Sequence, residues 1–132
     1  MTSAEKDYLE KLIIKAEHDL LAAENLIHSK PQVLDAACFH CQQCVEKYLK
    51  AFLFLHGIDF DKIHDVKKLL ADCSKIDKSF SSVDSENLDI YAVEARYADN
   101  FLLPELFEAE KYYEIAKQIK ELVLAKIKIE RK

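Results

Sequence analysis

The chain has very few places at which it can turn tightly. One glycine and two prolines occur in 132 residues. Sheet proteins need many turns, and turns consume glycine, for its positive φ, and proline, for its fixed φ. The scarcity points to a few long helices. A length of 132 residues fits one domain, spanning 1–132. Such a domain buries roughly two-thirds of its unfolded surface, so it folds without a metal or disulfide staple.

Apolar spacing and breakers divide the chain. "TSAE" fits a capping box, with Thr2 as N-cap and Glu5 three residues on. Leu9, Leu12, Ile13, Ala16, Leu20, Ala23 and Ile27 then recur at helical spacing, so a first helix runs from about Ala4 to His28. Pro31 disfavours helix at Lys30. A second helix is expected from about Gln32 to His56. It carries one stripe of Ala37, Cys41, Cys44, Tyr48, Ala51 and Leu55, and a second of Cys38, Val45, Leu49 and Phe52. More than half its circumference is apolar, which makes it the central helix. Gly57 suits the position just past its end.

"IDFDKIHD" reads as a loop, and a short third helix spans about Asp65 to Lys75 with Val66, Leu69 and Leu70 inward. The Ser-rich "IDKSFSSVDSEN" reads as the most mobile connection. A fourth helix is expected over about Asp84 to Tyr97, buried through Leu88, Tyr91, Val93 and Ala95. A fifth begins at Pro104, acceptable in a first helical turn, and runs to about Ile129 through Leu106, Ala109, Tyr112, Ala116, Ile119 and Val123. Its last turns are rich in lysine, as the helix dipole favours. The expected fold is all-α: an antiparallel up-and-down bundle of four long helices plus one short helix.

The formal charge of −5 excludes a delocalised cationic grip on nucleic acid but allows a local basic patch. The charged start and the lack of an apolar run of ~20 residues argue against a signal peptide or membrane span. Cytoplasmic location is expected, with the four cysteines as reduced thiols.

Three of those cysteines crowd into "CFHCQQCVEKYLK". Cys41 and Cys44 sit mid-helix, without the helix N-terminus that activates a redox pair. His40 precedes the pair, whereas covalent haem needs the histidine after it. One helix can present two zinc ligands, for example Cys41 and Cys44 or His40 and Cys44, and Cys73, His56 or His64 would have to supply the others, with no second paired motif. The thiols read as small core hydrophobes, and neither metal nor cofactor is expected.

Between the sulfurs lie Gln42, Gln43, Glu46, Lys47 and Lys50. Gln43, Glu46, Lys47 and Lys50 line one side of the second helix, and Glu46–Lys50 is an i,i+4 pair in its better orientation. A narrow polar strip on a central helix faces a cleft or satisfies another buried polar group. His64 and Asp65 open the third helix, where Asp65 can cap. Arg96, one of two arginines, ends the fourth helix, suited to a dipole contact, a salt bridge with Glu46, or a phosphate.

The ordered strings "AEHDLLAAENLI", "CQQCVEKYLKAFLFLHG", "IHDVKKLL" and "ARYAD" resemble the HEPN domain family, from Ala16 to about Ala116. The resemblance implies a helical bundle that commonly dimerises around a shared cleft. It also implies a small nucleotidyltransferase as partner, in toxin–antitoxin pairs or nucleotide-handling assemblies. Active HEPN ribonucleases carry an arginine followed, after four to six residues, by a histidine. Here Arg96 is followed by "YADNFLLP" and no histidine follows His64, so that motif is absent.

The expected role is therefore a non-catalytic, homodimeric module that binds a nucleotide or RNA. Lys47, Lys50 and Arg96 would face phosphate, and Gln43 and Asp65 would make hydrogen bonds, with Glu46, His64 and Tyr97 beside them. The alternative is a metal-independent ribonuclease or nucleotide-processing enzyme using His64 as base and Arg96 or Lys50 for charge. A structural adaptor with an internally closed polar strip is the third reading. The long apolar sides of the first and last helices suggest a face covered by a second copy.

Overall fold

The computed structural model describes residues 1–60, 63–92 and 102–130. The described residues are all-helical, without a strand: α1 (Ser3–His28), α2 (Leu34–Leu55), α3 (Val66–Ile76) and α4 (Leu106–Glu130). Two 3-10 turns, Lys78–Ser82 and Leu88–Tyr91, lie between α3 and α4. The all-α bundle read from the sequence is the observed fold. No helix among the described residues is long and apolar enough to cross a membrane.

α1 starts on the expected capping box: Glu5 N–H donates to Thr2 Oγ1 at 3.1 Å, and Thr2 N–H donates to Glu5 Oε1 at 2.8 Å. Its buried residues are Leu9, Ile13, Ala16, Leu20, Ala23 and Ile27, the expected stripe, with Leu12 at its edge. The turn to α2 uses the residues that the sequence assigned to the start of that helix. Gln32 Nε2 donates to Ile27 O at 2.9 Å, and Val33 N–H donates to Leu26 O at 3.1 Å. Both serve the open carbonyls at the end of α1, so α2 begins at Leu34.

α2 is the central element. It packs against α1, α3 and α4. Both apolar stripes are buried except at Leu55, which is only partly covered, and Cys38, Cys41, Cys44, Val45, Tyr48 and Leu49 have no exposed surface. The cysteines pack as the sequence suggested. Each large aliphatic or aromatic side chain buried here contributes about 1.5–3 kcal/mol of transfer free energy. The helix ends in a Schellman arrangement. Ile58 N–H donates to Leu53 O at 3.0 Å and Gly57 N–H to Phe54 O at 3.1 Å, with Gly57 at φ 70°.

Two expectations are corrected downstream. The Ser-rich stretch is held, not loose. Phe80 is fully buried with its ring 4.7 Å from that of Phe52, and Val83 and Ser85 are buried too. Asp77 accepts from Ser79 N–H and Ser79 Oγ–H, and pairs with Lys126 of α4 at 2.7 Å. The serines turn their hydroxyls back onto carbonyls, Ser81 to Lys78 and Ser82 to Ser79. Their polarity is spent locally.

The expected helix over 84–97 does not start where its apolar pattern suggests. Residues 84–87 lie outside any helix, Glu86 sits at φ 54°, and Leu88–Tyr91 form one 3-10 turn. Asp84 Oδ1 accepts from Glu86 N–H at 2.8 Å, a local side-chain bond that competes with helix. Leu88 and Tyr91 are buried as expected, while Val93 and Ala95 lie outside the described residues. Pro104 precedes α4 instead of entering its first turn, and Leu106, expected inward, is 39% exposed. The buried stripe of α4 is Ala109, Tyr112, Ile115, Ala116, Ile119, Val123 and Ile127.

Candidate functional site

Gln42, Glu46 and Lys50 stand four residues apart on α2 and form one polar line inside an otherwise apolar helix. All three are buried. Gln42 Nε2 donates to Glu46 Oε1 at 3.3 Å, and Lys50 Nζ donates to Glu46 Oε2 at 3.0 Å. The loop before α3 brings His64 to the same carboxylate, with its Nδ1 3.2 Å from Glu46 Oε2 and 3.2 Å from Lys50 Nζ. The ring of Phe60 lies 5.8 Å from Lys50 Nζ and closes that side apolarly.

His64 Nδ1 cannot serve both neighbours in one protonation state. With the proton on Nε2, Nδ1 accepts from Lys50; with a proton on Nδ1, it donates to Glu46. The His64 side chain is 69% exposed, so this internal network has an outlet to solvent.

Gln43 and Lys47 belong to different neighbourhoods. Gln43 Nε2 donates to Gln42 Oε1 at 2.7 Å, which adds it to the rear of the line. Lys47 instead pairs with Asp19 of α1, whose other oxygen lies 2.8 Å from His40 Nδ1. The four-residue strip expected on one side of α2 is therefore divided. Glu46 and Lys50 face the loop before α3, and Lys47 faces α1.

Asp65 is the N-cap of α3, accepting from Lys67 N–H at 2.8 Å and Lys68 N–H at 3.4 Å. A second carboxylate shares that helix end: Asp89 accepts from Val66 N–H at 2.8 Å and Lys67 N–H at 3.2 Å. A hydrogen bond between the two carboxyls, with the α3 amides, holds Asp65 below its ordinary range. Burial, and then the bond to Asp65, pushes Asp89 up.

The thiols are chemically quiet. Burial pushes Cys38, Cys44 and Cys73 up to about 12, and Cys41 also upward. Among the described residues, no group of three or more His, Cys, Asp or Glu could hold a metal ion.

Of the residues singled out from the sequence, Glu46, Lys50 and His64 meet, Gln43 joins them through Gln42, and Asp65 caps the adjoining helix. Arg96 and Tyr97 lie outside the described residues. Sequence reasoning missed the parts played by Asp19, His40, Gln42 and Asp89. Gln42 had a signal, its place four residues before Glu46. Asp19 and Asp89 had none, because their partners are distant in sequence.

An all-helical domain with a buried polar line on its central helix is the class defined by this fold and site. The HEPN domain family matches residues 9–128, and the chain belongs to that family. Comparison with curated proteins and with solved structures finds no match.

Proposed function

We propose that the protein is a non-catalytic HEPN module that binds a nucleotide or RNA as a homodimer and acts with a small nucleotidyltransferase partner, in a toxin–antitoxin-like or nucleotide-handling pair. The observation that carries this reading is the Glu46–Lys50–His64 cluster. It places a buried ammonium behind an exposed imidazole, beside the helix end capped by Asp65. A phosphate oxygen arriving at His64 would find two nitrogen donors, with Glu46 holding Lys50 in place until it does. Gln43 adjoins the line through Gln42, Lys47 is engaged by Asp19 on the α1 side, and Arg96 and Tyr97 would contribute a guanidinium and an aromatic ring to the ligand. Family membership supports the reading, as does the absence of any histidine after Arg96 in the sequence.

Titration of the purified protein with labelled ATP, GTP and a short RNA, alone and with a nucleotidyltransferase partner, tests this. The expected result is saturable binding that weakens in Arg96→Ala and Lys50→Met. No binding in any arm, with no effect of Arg96→Ala, overturns it.

A second reading rests on the contact between His64 Nδ1 and Glu46 Oε2 at 3.2 Å. A carboxylate on one ring nitrogen sets the other as a proton acceptor, with Lys50 for developing charge. RNA cleavage that falls in His64→Ala would favour this enzymatic role; equal background in both proteins removes it. The internal pairing of Glu46 with Lys50 also suits an adaptor with a closed polar strip, the reading that remains if neither ligand binding nor cleavage is found.

A further inference from the structure

A concavity of about 550 Å³ opens between the start of α1 and the C-terminal end of α2. Its size falls within the range of roughly 300–1,000 Å³ typical of small-molecule sites. Tyr8 from α1, Phe54 from α2 and Phe60 from the following loop give it aromatic walls, and Glu5 and Asp59 give it carboxylates. Among the described residues, no lysine, arginine or histidine lines it. We propose that this concavity is a binding site for a small organic cation of the alkylguanidinium class.

The chemistry of the wall selects the ligand. Aromatic faces attract a cation through the ring quadrupole, most strongly when the cation is weakly hydrated. A guanidinium is planar, stacks on aromatic rings and carries a fork of donors that matches a carboxylate, whereas a primary ammonium keeps its water more tightly. Tyr8 and Phe54 meet edge to face, with centroids 4.8 Å apart. Tyr8 is 45% exposed, so the site opens to solvent along its ring. Phe60 already lies near the Lys50 ammonium, so a second cation is received chiefly by Tyr8 and Phe54. Glu5 stays charged well into acid, because its bonds to Thr2 hold its carboxyl below the ordinary range. Gly57, at φ 70° and without a side chain, leaves that part of the wall open. The Glu5 carboxylate repels phosphate, which separates this site from the cluster around Lys50.

The test is a titration of the full chain by amide NMR with n-butylguanidinium and with n-butylurea, a neutral compound of the same shape. Gly57 is the chain's one glycine, so its amide signal is a clean reporter on the site. The guanidinium should give saturable shifts at Gly57, Ile58 and Tyr8, with the urea about tenfold weaker or worse. Glu5→Gln removes the charge but keeps a capping box, since glutamine serves at that position, and should weaken binding roughly threefold or more. Tyr8→Leu keeps an apolar wall without the ring and should weaken it similarly. Equal binding of the two compounds, unsaturable shifts, or full affinity in both variants would overturn the proposal.

Discussion

Lys50 and Glu46, one helical turn apart on α2, form a salt bridge at 3.0 Å that is almost wholly enclosed, with 9% of one residue and 8% of the other exposed. Pairs of this spacing on helix surfaces contribute a few tenths of a kcal/mol. Burial changes the arithmetic, because removing one partner leaves a charge out of water. Lys50→Met should destabilise the protein by about 3 kcal/mol in urea unfolding. Glu46→Leu combined with Lys50→Met should cost clearly less than the sum of the single changes. Additive costs would mean that the two charges are solvated independently.

Asp89 and Asp65 crowd the same helix end, and the pair makes stability depend on pH in opposite senses. Asp65, held low, contributes stability that is present above the ordinary carboxylate range and is lost as pH falls through its lowered value. Asp89, pushed up, contributes stability that is present below that range and is lost as pH rises through its raised value. Asp89→Asn abolishes the second effect and keeps one acceptor for the α3 amides. Its stability relative to the wild type should therefore rise between about pH 3 and about pH 7, followed by thermal unfolding across that range. A flat difference would show that Asp89 has no raised carboxyl.

Phe80 decides whether the Ser-rich stretch is part of the fold. Its ring is fully buried against Phe52. Phe80→Ala should cost about 3–5 kcal/mol by denaturant unfolding, as in other aromatic core truncations. A cost near zero would restore the loose-connection reading.

The four cysteines should resist thiol reagents in the folded state. All are buried with raised thiol values, so little nucleophilic thiolate is present near neutral pH. Ellman's reagent at about pH 8 should react slowly with native protein and fully, at all four, after unfolding in denaturant. Prompt reaction of any one thiol in the native protein would place it at the surface.

Much of the architecture was legible in the letters. The Thr2–Glu5 box, the stripe from Leu9 to Ile27, the doubly apolar α2 and the Gly57 stop are local patterns, and local patterns act through spacing alone. The stretch from Asp84 to Tyr91 failed because its apolar residues, Leu88 and Tyr91, suit a helix or a single turn equally. The choice was made by side-chain bonds of Asp84 and Asp89, the second of them to a helix more than twenty residues away. Phe80 likewise had no signal, since one aromatic among serines shows its burial only once Phe52 stands opposite.

By itself the sequence determined that α2 would be central and that it would carry one confined line of polar residues. Periodicity settles which side chains share a face, and the spacing of Glu46 and Lys50 settles that they meet. Tertiary structure decided where each polar group points. It sent Lys47 to Asp19 on α1 and set Glu46 and Lys50 against His64, because only packing brings α1 and the loop before α3 to neighbouring sides of the same helix. Charge pairing between distant segments depends on that three-dimensional placement, which no interval along the chain records.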